Sequence, residues 1–281
     1  MKTDEMLPGR RVLLRGAALF ALAATAGCAG EERSGAPARP STSPEPAAGA
    51  QAARPRKPSA YRLRPMTGYG PRRAAVRRTP VRSKPILRLA DRGRGMVLSF
   101  DDGPDPRYTP HILDTLHKHD VRAMFFVCGE MAESNPDLLR RMTDEGHLIG
   151  NHTFTHPQLT LMRRPGIRDE IERTSEAVLD TVGRPPLWFR APYGAWNRSA
   201  FEIGAELGME PLAWTVDTLD WTEPGSRTIV RRVLQGAGPG VVVLSHDAGG
   251  NRSQTVKALR TYLPRLLDEG YRIEVPNRAL M

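Results

Sequence analysis

Met96-Val97-Leu98-Ser99-Phe100-Asp101-Asp102-Gly103-Pro104 joins an apolar run to two adjacent carboxylates and a Gly-Pro turn. The run reads as a short strand, and Gly-Pro stops it. Nothing in a strand end requires paired acids. Side by side they repel, so the pair points to a cation or a shared proton. Asp-Asp-Gly is also ordinary turn chemistry, and the rest of the chain has to decide between the two.

Downstream, short apolar runs alternate with helical patterns. Strands are expected near 96–100, 123–127, 148–150, 187–190, 212–215, 241–245 and 271–275, and helices near 109–119, 135–145, 166–182, 197–208, 226–236 and 252–268. Asn135-Pro136 suits an N-cap followed by a first-turn proline. Glu170, Ile171, Thr174, Val178 and Asp180 fit an exposed amphipathic helix. Gly146, Gly208 and Gly270 each follow a helical run, where a left-handed C-cap is expected. Seven strands separated by helices imply an α/β fold with a mostly parallel sheet, open or closed as a barrel. Such sheets carry their functional groups at the carboxyl ends of the strands.

The polar candidates stand there. His152-Thr153-Phe154-Thr155-His156 puts two histidines four apart, which over one helical turn would reach the same ion. That spacing alone fits surface histidines equally well, and it lacks the glutamate of a zincin. Together with an aspartate from a neighbouring strand end, it makes a two-histidine, one-carboxylate site with a position left for water. Arg190-Ala191-Pro192-Tyr193-Gly194 offers a fixed cation able to grip a carboxylate in bidentate fashion; a structural salt bridge is the plain alternative. Asp217-Thr218-Leu219-Asp220-Trp221 adds two acids and an aromatic plate, and Leu244-Ser245-His246-Asp247 a third histidine. His111, His117, His119 and His147 read as surface or structural groups. Cys128, inside an apolar run, reads as a buried and inert thiol.

In combination, SFDDGP, HTFTH, RAPYG, DTLDW and LSHD resemble the five motifs of the polysaccharide deacetylases, carbohydrate esterase family 4, which share the NodB homology domain. The resemblance spans about residues 96–275, with Ser99 replacing the usual threonine of the first motif. It implies a distorted (β/α)7 barrel. It makes Asp101 the general base and His246 the general acid, with Arg190 positioning Asp101 and Asp220 orienting and tuning His246. Asp102, His152 and His156 would hold a divalent metal. Zinc is favoured by that donor set, while cobalt, nickel or manganese also fit. Tyr193 would lend its backbone N–H to the oxyanion, and Trp221 and Leu244 would line the acetyl-methyl pocket. Short strand-end loops suggest an open cleft for a long polymer, with Trp196 and Tyr193 stacking on sugar rings.

The N-terminal third is different. Of the chain's net charge of +10, the surplus lies in residues 31–94, with 16 basic and 4 acidic side chains, whereas residues 95–281 carry 21 basic and 25 acidic. Residues 1–28 read as an export signal. Twin arginines, Arg10 and Arg11, precede an apolar core too short to span a bilayer, as in a twin-arginine signal; an ordinary secretory signal is the alternative. Thr25-Ala26-Gly27-Cys28 resembles a lipoprotein box with a lipid anchor at Cys28, and Ala24-Thr25-Ala26 offers a plain cleavage site instead. Residues 29–92 are expected to be a disordered, basic Pro/Ala/Arg-rich tether suited to an anionic cell wall or membrane surface, and 93–281 the catalytic domain. An exported protein leaves nucleic acid a poor partner for that basicity, and a monomer is expected. The expected function is metal-dependent removal of N-acetyl groups from an extracellular glycan, peptidoglycan N-acetylglucosamine or chitin-type oligosaccharide. O-acetyl ester hydrolysis on xylan and a non-catalytic wall-binding role are the alternatives.

Overall fold

The computed structural model describes residues 79–90 and 93–276; the expected signal, Cys28 and the tether as far as residue 78 lie outside the described residues. The strands are β1 (Gly95–Asp101), β2 (Met124–Val127), β3 (Leu148–Asn151), β4 (Trp188–Phe189), β5 (Glu210–Pro211), β6 (Val216–Asp217), β7 (Val242–His246) and β8 (Arg272–Ile273). The helices are α1 (Thr109–Lys118), α2 (Gly129–Ser134), α3 (Pro136–Asp144), α4 (Arg164–Val182), α5 (Arg198–Glu206), α6 (Ser226–Gly236) and α7 (Ser253–Asp268). Seven strands lie in the order β5-β4-β3-β2-β1-β7-β6, every pairing parallel, and β8 pairs with the start of β1. The result is a curled parallel sheet with helices outside it, the distorted (β/α)7 barrel.

β1 is buried along its whole length because both of its faces are covered. Met96, Leu98 and Phe100 point outward into the layer that includes Ile112, Leu116, Leu259 and Leu263 of the helices. Val97 points inward, with Met124, Phe126, Trp188 and Val242. Continuing that inner face with period 2 brings Ser99 and then Asp101 to the inner mouth of the barrel. The position of the first catalytic candidate thus follows from strand alternation.

Four expectations change. The stretch 212–215 is not a strand; it separates β5 from β6. There the chain passes from pairing with β4 (Leu212 N–H on Phe189 O, 2.9 Å) to pairing with β7 (Thr215 N–H on Val242 O, 2.9 Å). Residues 79–90 are not a free tether. Ile86 N–H donates to Pro211 O and Leu89 N–H to Gly240 O, both at 2.9 Å, so this segment bridges the gap between the β5 end and the β7 start, with Leu89 buried. Asn135 precedes Pro136 as expected, yet its side chain donates to Pro104 O and Met131 O instead of capping α3. Glu170, Ile171, Thr174 and Val178 are buried, because α4 packs against α2, α3 and β3. Gly146, Gly208 and Gly270 do adopt left-handed φ of 80–82° just past their helices.

Leu89→Ala should destabilise the protein by about 2–4 kcal/mol, as for other large-to-small changes at buried sites. Denaturant unfolding of the full chain checks this, and a loss below about 0.5 kcal/mol would mean that the bridging segment contributes little.

Candidate active site and metal centre

At the carboxyl ends of the strands a cleft of about 580 Å³ is lined by Asp101, Asp102, His152, His156, Tyr193, Asp217, Trp221, Leu244 and His246, together with Cys128, Glu130, Met131, Trp214 and Arg252. Asp102, His152 and His156 offer three ligand atoms all within 4.8 Å of one another. His156 Nε2 lies 3.3 Å from Asp102 Oδ1, and His152 Nε2 lies 3.6 Å from the same oxygen. The two imidazoles do not share a helical turn. They sit on a loop in which Thr153 and His156 have left-handed φ of 68° and 59°, and the rings still meet at 4.9 Å between centroids.

Such backbone persists only where its surroundings over-determine it. Glu170, an acid on the buried face of α4, does this here. Its carboxylate accepts from Phe154 N–H, Thr155 N–H and the Thr155 hydroxyl, each at 2.8 Å. Asn151 Oδ1 accepts a further bond from Thr153 N–H at 2.9 Å. Sequence reading missed the role of Glu170, although an acid on an otherwise apolar helix face was the available signal.

His152 Nδ1 lies 2.8 Å from Arg190 O, so Nδ1 carries the proton and Nε2 keeps its lone pair. Burial pushes this imidazole down to about 3, against the pull of Asp102, so it is neutral at pH 7. Asp102 Oδ1 is buried without a hydrogen-bond donor. A neutral imidazole with a free lone pair and a carboxylate oxygen without a donor are what a divalent cation requires.

Arg190 is fully buried. Its Nη1 donates to Asp101 Oδ1 at 2.6 Å and to Ser99 Oγ at 2.9 Å; Nε and Nη2 donate to Leu212 O and Ala213 O. The expected bidentate grip is therefore absent. One guanidinium nitrogen holds Asp101, and the others satisfy carbonyls in the stretch where the sheet is interrupted. Asp101 Oδ2 is left toward His152 Nε2, 3.6 Å away. Burial raises the Asp101 carboxyl, while the charge of Arg190 opposes this.

His246 Nδ1 lies 2.7 Å from Asp220 Oδ1, and Asp220 Oδ2 accepts from His246 N–H and the Thr255 hydroxyl. Burial works against the imidazolium, but Asp220, with Asp102 and Asp101 behind it, outweighs that and raises His246 to about 9. The ring is thus a proton donor at neutral pH, with Nε2–H free of the Asp220 bond.

Leu244 is buried in the cleft floor, whereas Trp221 and Tyr193 are exposed on its walls, the Tyr193 ring edge-to-face with His156 at 4.6 Å. Trp196 does not line the cleft. Its ring stacks on Phe201 at 5.1 Å and meets Phe189 edge-on at 5.4 Å, so it packs the α5 side of the barrel and not the cleft. His147 is buried and accepts from Ala123 N–H at 3.1 Å, a structural role. Burial, reinforced by Asp102 and Asp101, pushes the Cys128 thiol well up, which leaves it a poor nucleophile.

Because the folded pKa of His246 lies above its ordinary 6.5, the His246–Asp220 pair stabilises the fold fully below that value and fades as pH rises through about 9. Asp220→Asn should bring the His246 titration down by more than one unit, read directly by NMR of the ring protons. Trp196→Ala should cost about 3 kcal/mol of stability without changing metal uptake, which denaturation and elemental analysis together would check.

The polysaccharide deacetylase profile matches residues 89–212. A chitooligosaccharide deacetylase of Rhizobium leguminosarum bv. trifolii is 38% identical over 206 residues, which cover 69% of this chain and 96% of that protein. A solved peptidoglycan N-acetylglucosamine deacetylase superposes with a TM-score of 0.65 at 36% identity, covering 67% of this chain and 89% of that one. A family 4 pseudoenzyme from Bacillus anthracis reaches 0.63 at 31% identity, covering 67% of this chain and 66% of that one. With its five motifs gathered at one barrel mouth and a relative matched along nearly its whole length, this chain belongs to the polysaccharide deacetylase family.

Proposed function

We propose that this protein is a metal-dependent hydrolase that removes N-acetyl groups from an extracellular glycan, peptidoglycan N-acetylglucosamine before chitin-type oligosaccharides. The observation that carries the reading is the placement of two tuned groups around one donor set. Asp101, held by Arg190, and His246, held by Asp220, both face the cleft that Asp102, His152 and His156 line. The names of the relatives support both glycan classes, and the export signal read in residues 1–28 favours the wall polymer, which an exported enzyme meets first.

Asp102, His152 and His156 would hold the metal, zinc in the first instance, with cobalt, nickel or manganese able to replace it. When bound, such an ion supplies Lewis acidity toward the acetyl carbonyl and toward water. The remaining work falls to the chain. Asp101 accepts the proton of the attacking water through Oδ2, because Oδ1 is occupied by Arg190. The backbone N–H of Tyr193 donates to the developing oxyanion, a contribution of about 3–4 kcal/mol in comparable sites. His246 donates its Nε2 proton to the departing amine nitrogen, which leaves poorly without one. Leu244 and Trp221 line the pocket for the acetyl methyl group.

An ester leaves more readily than an amide, so dependence on His246 separates N-deacetylation from an O-acetyl esterase activity. In the cell, the basic tether and a lipid on Cys28 would hold a monomeric enzyme against the anionic wall or the outer face of the cytoplasmic membrane. A purely wall-binding role would need neither the Arg190–Asp101 nor the His246–Asp220 pair, and the presence of both supports the hydrolase reading.

The test is release of acetate and free amine, followed by mass spectrometry, from peptidoglycan, N-acetylglucosamine oligomers of one to six units and acetylated xylan. We expect activity that a chelator abolishes and added metal restores, and faster turnover on three or more sugars than on the monomer. His152→Ala and His156→Ala should lose metal and turnover together. His246→Ala should keep the metal and lose about 10²–10⁴ in rate. Chelator-resistant release, or none on any acetylated glycan, would overturn the proposal.

A further inference from the structure

A carboxylate that this chemistry does not use lies directly behind the metal ligands. Asp247, next to the acid His246, is fully buried. Its backbone N–H donates to Asp101 O at 3.1 Å. Its Oδ2 accepts from the Thr109 hydroxyl at 2.5 Å, and that hydroxyl in turn accepts from Asp105 N–H at 2.8 Å. Both ends of the loop from Asp101 to Asp105 are therefore tied to one residue of another strand end. Between the two ties the carboxylate rests on Gly103, where a Cβ would come within 2.1–2.4 Å of its atoms.

The residue enclosed by these ties is Asp102, whose φ of 77° is left-handed and needs outside support. Backbone bonds from Asp102 N–H to Phe126 O and from Cys128 N–H to Gly103 O supply part of that support. An apolar side chain would fill the space of Asp247 without the cost of desolvating a carboxylate. What the carboxylate adds is a directional bond through Thr109 to Asp105.

We propose that Asp247, acting through Thr109, is a positioning residue that holds the 101–105 loop so that Asp102 is aimed at His152 and His156. The inference rests on the metal reading above, and it concerns the affinity of the site and not the identity of the glycan.

Titration of the full-length apoprotein with zinc alone, in competition with a chelating dye, tests it. Asp247→Ala and Thr109→Val should each weaken zinc binding about 10- to 100-fold, the range for supporting residues of metal ligands. Thr109→Ser, which keeps the hydroxyl, should stay within about threefold of wild type. The double variant should be no weaker than the worse single one, because both break the same tie. Circular dichroism of each apoprotein establishes that it is folded, and the Thr109 pair carries the test if Asp247→Ala is not. Zinc affinities unchanged in folded variants, a Thr109→Ser loss equal to that of valine, or additive losses would overturn the positioning role. Glycan does not enter the measurement. A protein that binds zinc normally but deacetylates nothing would contradict the proposed function and leave this role standing.

Discussion

The buried ion pair between Arg190 and Asp101, 2.6 Å apart, is the constraint on which the rest of the barrel mouth depends. Removing both charges from water is costly, and the pair repays that only if its remaining donors are satisfied. Here they are. Ser99, Leu212 and Ala213 take the other guanidinium bonds, and the ring of Phe126 lies 3.9 Å from the guanidinium carbon. The Arg190 backbone joins the same system: its N–H donates to Asn151 O and its carbonyl accepts from His152. One residue therefore links β1, the end of β3 and the interrupted stretch between β5 and β6, and orients both Asp101, the proposed base, and His152, a proposed metal ligand.

The two carboxylates of the opening motif are separated by this arrangement. Asp101 is turned inward to the arginine, while Asp102, with left-handed backbone, turns toward the histidines and keeps an oxygen without a donor. Adjacent acids that would repel in the same environment acquire different ones, and with them different chemistry. His246 is separated from His152 in the same way. A carboxylate partner makes the first a proton donor, and burial keeps the second neutral against the pull of Asp102 and the Arg190 carbonyl.

Much of this was legible in the sequence, because motif residues sit at strand ends and strand ends are marked by apolar runs. Asp101 and Asp102 stand at the end of such a run, and the five motifs meet at one rim as the parallel pattern requires. What was not legible depended on distant partners. The stretch 212–215 has strand composition, but its place in the sheet is where pairing passes from one neighbour to another. Residues 79–90 have the composition of a tether, yet they fill a gap that only the curled sheet creates. Trp196 stands beside a motif, which suggests sugar stacking, but its ring packs on Phe189 and Phe201. Glu170 is an ordinary helix acid by pattern, and its three bonds to the histidine loop come from another element.

The central claim is that Asp101, oriented by Arg190, performs the proton abstraction at a centre it does not itself ligate. Asp101→Asn keeps the size of the side chain and removes its basicity. Metal content and turnover of this variant, measured side by side on an N-acetylglucosamine oligomer, test that claim most directly. The account predicts wild-type metal content with turnover reduced about 10²–10⁴-fold; turnover within about tenfold of wild type, or metal lost together with activity, would contradict it.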